Sequence, residues 1–163
     1  EQTRGHNPAG QLTDADFEKV TGLYLNYTQV TDSGLKEVAK LQNLKELFLN
    51  YTQITDAGLK EVAKMQQLTM LGLSDTKITD AGLVELAELQ QLTSLGLDNT
   101  QITDAGLKEV AKLQNLEELF LKGTKVTREG VAELKKALPN CFIAHWSSLP
   151  PIPPPKLPQI PPQ

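Results

Sequence analysis

The sequence predicts an α/β solenoid: a short right-handed horseshoe arc with a parallel sheet on its concave side and short helices on its convex side. Three observations predict it. A 24-residue period recurs five times without a gap, each unit carries a leucine pair alternating at period two, and an apolar i, i+3, i+4 pattern follows that pair. Residues 17–40, 41–64, 65–88, 89–112 and 113–136 align column under column. The columns run Val20, Leu44, Leu68, Leu92, Leu116, then Leu23, Leu47, Leu71, Leu95, Leu119, then Leu25, Leu49, Leu73, Leu97, Leu121.

Composition agrees with one repeated apolar role. Of 163 residues 39% are hydrophobic, and 27 of them, about 17% of the chain, are Leu, whereas only 8 are aromatic. No window approaches 18 consecutive apolar residues, so membrane insertion is not expected. The net charge of -4 and a pI near 5.2 argue against nucleic acid, whose phosphates need clustered Lys and Arg. The single Cys141 excludes an internal disulfide and a multi-cysteine metal site. The chain starts at Glu1 without an initiator Met, which leans the localisation toward export or the periplasm and otherwise leaves it open.

Each element follows from the repeat. The L-x-L pair suits a strand with one buried face, and Leu59, Val62 and Ala63 fall on one face of a helix two or three turns long. Thr55-Asp56 can cap and charge-complement that helix, as can Thr31-Asp32, Thr79-Asp80 and Thr103-Asp104. Gly58, Gly82 and Gly106 stand in the first turn, where Gly costs roughly 1 kcal/mol of helix propensity, so a side chain there should collide with a neighbouring turn. Parallel strands about 4.8 Å apart and helices about 8 to 10 Å apart force the stack to bend with the sheet inside.

The five L-x-x-L-x-L blocks with T-D-x-G-L after them resemble the leucine-rich repeat family. The form is similar to the 24-residue T-D-A-G-L repeats of bacterial proteins and to the cysteine-containing and ribonuclease-inhibitor-like subclasses. The resemblance covers residue 17 to about residue 146 and implies protein binding in general. One column departs from it: Thr28, Thr52, Thr76, Thr100 and Thr124 stand where the family has Asn or Cys, and their hydroxyls can still satisfy nearby backbone groups.

The organisation expected is a flexible leader over residues 1–10, an N-terminal helical cap over 11–19, repeats over 17–136, a C-terminal cap over 137–146 and a proline-rich tail over 147–163. The first cap has Thr13 and Asp16 spaced as a capping box, with Phe17 replacing the usual Leu. The second turns at Pro139-Asn140 into a short sixth strand, with Phe142 and Trp146 covering the last repeat. Eight of the ten prolines lie in residues 150–162, a polyproline II tail that serves as a spacer, a tether or a loose P-x-x-P-x-basic ligand.

Function is sought on the strand positions that alternate with the buried leucines. One column reads Tyr24, Phe48, Gly72, Gly96, Phe120 and the one before it Gly22, Glu46, Met70, Ser94, Glu118. After the strand come Asn26, Asn50, Ser74, Asp98, Lys122 and then Tyr27, Tyr51, Asp75, Asn99, Gly123. Five of the eight aromatic residues fall in these columns. Gly72 and Gly96 between Phe48 and Phe120 should leave a trough two strands wide, with Glu46, Glu118, Asp75, Asp98 and Lys122 as its rim. The expected partner-binding residues are Tyr24, Phe48, Phe120, Tyr27, Tyr51, Met70, Gly72, Gly96, Asp98 and Lys122. The alternative is that the aromatics are cross-strand ladders, and that the array is a spacer or assembly unit contacted through its tail or ends.

Catalysis finds no support. Cys141 and His145 are four residues apart, about 13 Å along a strand, too far for a dyad. The Asp32, Asp56, Asp80, Asp104 row is accounted for by helix starts rather than a shared cation, and the threonine column should turn inward rather than present an ice-binding array. No metal, no cofactor and no enzyme activity are expected. A protein or peptide partner is, with the chain a monomer or self-associating through its concave face.

Overall fold

A computed structural model describes residues 17–145. Six three-residue strands alternate with five helices: β1 Gly22–Tyr24, α1 Asp32–Val38, β2 Glu46–Phe48, α2 Asp56–Val62, β3 Met70–Gly72, α3 Asp80–Leu86, β4 Ser94–Gly96, α4 Asp104–Val110, β5 Glu118–Phe120, α5 Arg128–Ala137 and β6 Phe142–Ala144. The strands form one parallel sheet in sequence order. Every pairing joins residues 24 apart, so Leu23, Leu47, Leu71, Leu95, Leu119 and Ile143 lie in one row. The α/β solenoid stands as expected.

The core lies between sheet and helices. Leu47, Leu49, Ile54, Leu59 and Val62 of one repeat are fully buried, as are their counterparts Leu95, Leu97 and Ile102 two repeats on. Burying each such side chain contributes about 1.5 to 3 kcal/mol. The first repeat is less enclosed, with Val20, Leu23 and Leu25 only half-buried. Residues 11–16 of the expected 11–19 cap, the leader, Trp146 and the tail lie outside the described residues.

Polar groups are satisfied repeat by repeat. The hydroxyls of Thr52, Thr76 and Thr100, all buried, donate to the carbonyls of Leu49, Leu73 and Leu97 at 2.6 Å. The departing column thus closes its own turn instead of bridging repeats. Bridging is done by other side chains. On the sheet side, Asn26 Oδ1 accepts the Asn50 N–H at 3.0 Å and Asn50 Oδ1 accepts the Ser74 N–H at 2.8 Å. At the helix ends, the side-chain amides of Gln42, Gln66, Gln90 and Gln114 each donate to a carbonyl three residues back at 2.6 Å, taking up acceptors that the last turn leaves open.

The aspartates of the helix starts do more than complement their own helices. Asp32 accepts both the backbone N–H and the hydroxyl of Thr55 in the next repeat, at 2.9 and 2.6 Å. Asp56 does the same to Thr79, Asp80 to Thr103 and Asp104 to Thr127. Thr55, Thr79 and Thr103 in turn accept an N–H two residues on, capping their helices. Thr31 does not: it is the N-cap of α1, but its hydroxyl is shared with Ser33 at 3.0 Å, because Ser33 replaces the Ala of the other repeats.

This clamp explains the first-turn glycines. A Cβ at Gly82 would sit 2.4 Å from Asp56 Oδ1 and 2.8 Å from Leu59 Cδ1, and one at Gly58 or Gly106 meets the preceding aspartate equally closely. The aspartate can yield only by giving up its bonds to the threonine. Gly82→Ala should therefore destabilise the chain by about 1 to 3 kcal/mol in urea denaturation, although Ala favours a helix. In an Asp56→Ala background the same substitution should cost less, since the clash partner is gone; strict additivity would place the constraint elsewhere.

Candidate functional site

The outward strand positions line up by the same register: Tyr24, Phe48, Gly72, Gly96, Phe120 and Ala144 lie side by side across the sheet. Tyr24 and Phe48 stack with ring centres 5.4 Å apart and planes within 6°. Tyr27 and Tyr51 stack at 4.4 Å and 10°. Tyr24, Tyr27 and Tyr51 remain 62%, 74% and 48% exposed, so stacking uses one face of each ring and leaves much of it to solvent.

The column just after the strand has a backbone requirement that sequence spacing did not disclose. Tyr27, Tyr51, Asp75 and Asn99 all take φ between 54 and 59°, and Gly123 takes 73°. Asn, Asp and Gly enter this left-handed region readily; tyrosine does so at a cost of about 1 to 2 kcal/mol.

The two glycines do not open a trough two strands wide. Phe48 leans over Gly72, where a Cβ would lie 2.7 Å from Phe48 Cδ1 and 2.9 Å from the Asn50 amide nitrogen, and Gly72 is buried. A Cβ at Gly96 would meet nothing closer than Ser74 Oγ at 3.4 Å. The open floor is thus one strand wide, over Gly96. There a cavity of 180 Å³ is lined by Phe48, Asn50, Met70, Gly72, Ser74, Ser94, Gly96, Asp98 and Phe120. Six of the expected residues meet in it: Phe48, Met70, Gly72, Gly96, Asp98 and Phe120. Tyr24, Tyr27 and Tyr51 stand beyond it on the first two repeats, and Lys122 contributes its backbone N–H, which donates to Asp98 Oδ1 at 2.6 Å. Asn50, Ser74 and Ser94 were not among the expected binding residues, although they occupy the same outward columns.

The expected rim is partly spent within the protein. Tyr24 donates its hydroxyl to Glu46, Asn99 donates to both Asp75 oxygens at 3.1 Å, and Ser94 donates to Glu118 at 3.2 Å. Asp98, which holds the Lys122 N–H through Oδ1, lines the cavity. Burial raises its carboxyl pKa, with the Lys122 N–H and charge acting in the opposite direction. The hydrogen bond to Glu46 raises the Tyr24 phenol above 10, and the bond to Asp75, with its charge, raises Tyr51.

A larger groove of 320 Å³ opens on the convex side between α4 and α5, lined by Leu107, Ala111, Leu134 and Asp104 among others. Its Asp104 carboxylate is already held by Thr127. The helices otherwise carry Lys–Glu pairs at i, i+3, of which the exposed Lys40–Glu37 and Lys136–Glu133 each contribute a few tenths of a kcal/mol at most, about 0.2 to 0.5.

Cys141 is buried and its thiol donates to the Phe142 carbonyl at 3.6 Å; burial pushes its pKa up. The Nε2 of His145 is taken by the Val126 carbonyl at 2.8 Å. The two do not form a dyad. Among the described residues no group of three His, Cys, Asp or Glu could hold a metal ion, and no helix is long and apolar enough to cross a membrane.

Residues 40–63, 64–87 and 89–111 match the Leucine Rich repeat family. An internalin from Listeria monocytogenes shares the fold with a TM-score of 0.67 and 28% identity over 82% of this chain and 36% of that one. A leucine-rich-repeat protein of Leptospira interrogans does so with a TM-score of 0.56 and 29% identity over 78% of this chain and 38% of its own. The chain therefore spans little more than a third of the length of either structure. No curated protein sequence matches it.

Spectrophotometric titration should find the Tyr24 and Tyr51 phenols ionising above the ordinary value of 10. Glu46→Gln should bring one of them down while leaving the other, held by Asp75, in place.

Proposed function

We propose that this chain, a leucine-rich-repeat protein of the bacterial type, is a non-enzymatic scaffold that recognises a protein or peptide on its concave sheet. Binding protein partners is typical of the family. The observation that carries the concave assignment is the cavity over Gly96, where aromatic walls from Phe48 and Phe120 and the polar groups of Ser74, Ser94 and Asp98 converge on one small space. Apolar walls with a few placed polar groups are the ordinary composition of a recognition pocket. Tyr24, Tyr27 and Tyr51 extend the contact surface over the first repeats, where rigid rings give large area at small entropic cost. The compact buried thiol and the engaged His145 are consistent with a structural end rather than a catalytic one.

The aromatic stacks favour a second reading, in which these rings only stabilise the sheet. Its energetics are poor at one pair. Stacking Tyr27 on Tyr51 gains about 0.5 to 1.5 kcal/mol, less than the about 2 to 4 kcal/mol that the left-handed backbone costs the two tyrosines together. Replacing both by Asn, the type already present at Asn99, should leave stability unchanged or raise it by up to about 3 kcal/mol in urea denaturation. A loss of several kcal/mol would make them structural.

Affinity capture from extract and envelope fractions of the source cells tests the function directly. The intact protein and a variant lacking residues 147–163 should retain the same species. Phe48→Asp/Phe120→Asp, shown by circular dichroism to be folded, should lose it. Equal capture by all three, or loss only on removing the tail, would transfer the binding role to the tail or the ends.

A further inference from the structure

We infer that the cavity over Gly96 receives an arginine side chain of the partner, its aliphatic stem between Phe48 and Phe120 and its guanidinium on Asp98. The inference rests on the concave-face reading and gives that site a chemistry. A purely apolar occupant fits the walls but not the floor. It would strip water from the Asp98 carboxylate and from the hydroxyls of Ser74 and Ser94 and return no hydrogen bond, a loss that burial of a small apolar side chain does not recover. An anionic occupant meets the wrong sign.

Charge over the face selects the cation. The four outward columns carry Glu46, Asp75, Asp98 and Glu118 against Lys122 alone, whereas the other 13 acidic and 13 basic residues of residues 17–145 balance. The excess negative charge thus belongs to the concave side, and of these four carboxylates Asp98 is the one that lines the cavity. Glu46, Asp75 and Glu118 each hold a neighbouring side chain. Asp98 uses Oδ1 for the Lys122 N–H, while Oδ2 accepts no hydrogen bond from the described residues, and no ion pair joins Asp98 to the Lys122 ammonium.

Arginine satisfies both parts of the cavity where lysine satisfies them less well. Its planar guanidinium lies against aromatic faces, retains donors in the ring plane for the carboxylate and the serine hydroxyls, and gives up its hydration more cheaply than an ammonium. The methylene stem covers the apolar walls meanwhile.

The test uses the full chain at neutral pH and three probes: acetyl-Gly-Arg-Gly-amide, its neutral isostere with citrulline, and acetyl-Gly-Leu-Gly-amide. Backbone amide shifts of Ser74, Ser94, Gly96 and Asp98 report occupancy of the cavity as each peptide is titrated. The arginine peptide should shift them saturably and bind about tenfold more tightly than the citrulline peptide. Asp98→Asn keeps the carbonyl that accepts the Lys122 N–H, and Asn already stands in this column at Asn26 and Asn50, so the variant should fold. In it the preference for arginine over citrulline should vanish. Equal binding of arginine and citrulline, or persistence of the preference in Asp98→Asn, overturns the inference. Tighter binding of the leucine peptide at the same resonances also overturns it and leaves the concave site standing with an apolar occupant. No shift with any peptide overturns it as well, and the capture comparison of the aspartate double variant then decides separately whether the concave face binds at all.

Discussion

The structure depends on one contact between repeats: an aspartate in the first turn of each helix holds the backbone N–H and hydroxyl of the threonine that begins the next helix. Short helices of seven residues cannot sustain themselves in water, and hydrophobic stacking alone is non-directional and would allow them to slide. Two hydrogen bonds to one carboxylate fix both the spacing and the rotation of each helix on the last. The glycine two residues after the aspartate is the complement of that contact, because the preceding repeat's carboxylate occupies the volume a Cβ would take. Aspartate, glycine and threonine are therefore one device read at three columns, and its reach of 23 residues, with the one step from threonine to the next aspartate, matches the 24-residue repeat.

A fixed register makes the sheet face a grid. Because every strand residue pairs with the one 24 positions on, a side chain's neighbours on the face are known from its column, and any binding surface consists of the differences between otherwise equal repeats. The differences are concentrated. Leu and Thr columns barely vary, while one outward column passes from Tyr through Phe to two Gly and back to Phe. The fold is held by columns that face inward or sideways, which leaves the outward ones free to differ without loss of the core.

The period, the buried leucines, the six parallel strands and the side on which the aromatics stand all followed from spacing, since burial and pleating convert period directly into facing. What spacing could not supply were interactions between repeats. The aspartates read as local caps because a sequence shows a residue's neighbours along the chain, and their second partner is 23 positions away. The width of the trough failed for a related reason: counting glycines gives the room on the floor, but the tilt of Phe48 decides how much of it stays open. Asp98 was placed at the rim by its column, and its hold on the Lys122 N–H and its place in the cavity lining become evident only in the fold.

The left-handed column bears on why the site sits where it does. Its backbone geometry is imposed by the turn that leads out of each strand, and Asp75, Asn99 and Gly123 are residues that accept it at little cost. Tyr27 and Tyr51 accept it only with strain, at the end of the array where Val20, Leu23 and Leu25 are least enclosed and stability is least to spare. Mutual stacking recovers only part of what the two backbones lose, so the pair returns no net stability to the fold. What remains is two large exposed rings, continuous with the Tyr24–Phe48 stack and with the aromatic wall of the cavity. A strained residue with no net stabilising return is more economically explained by contact with something outside the chain. On that ground the proposed contact surface extends from the tyrosine pairs to Phe120 and takes in the cavity over Gly96.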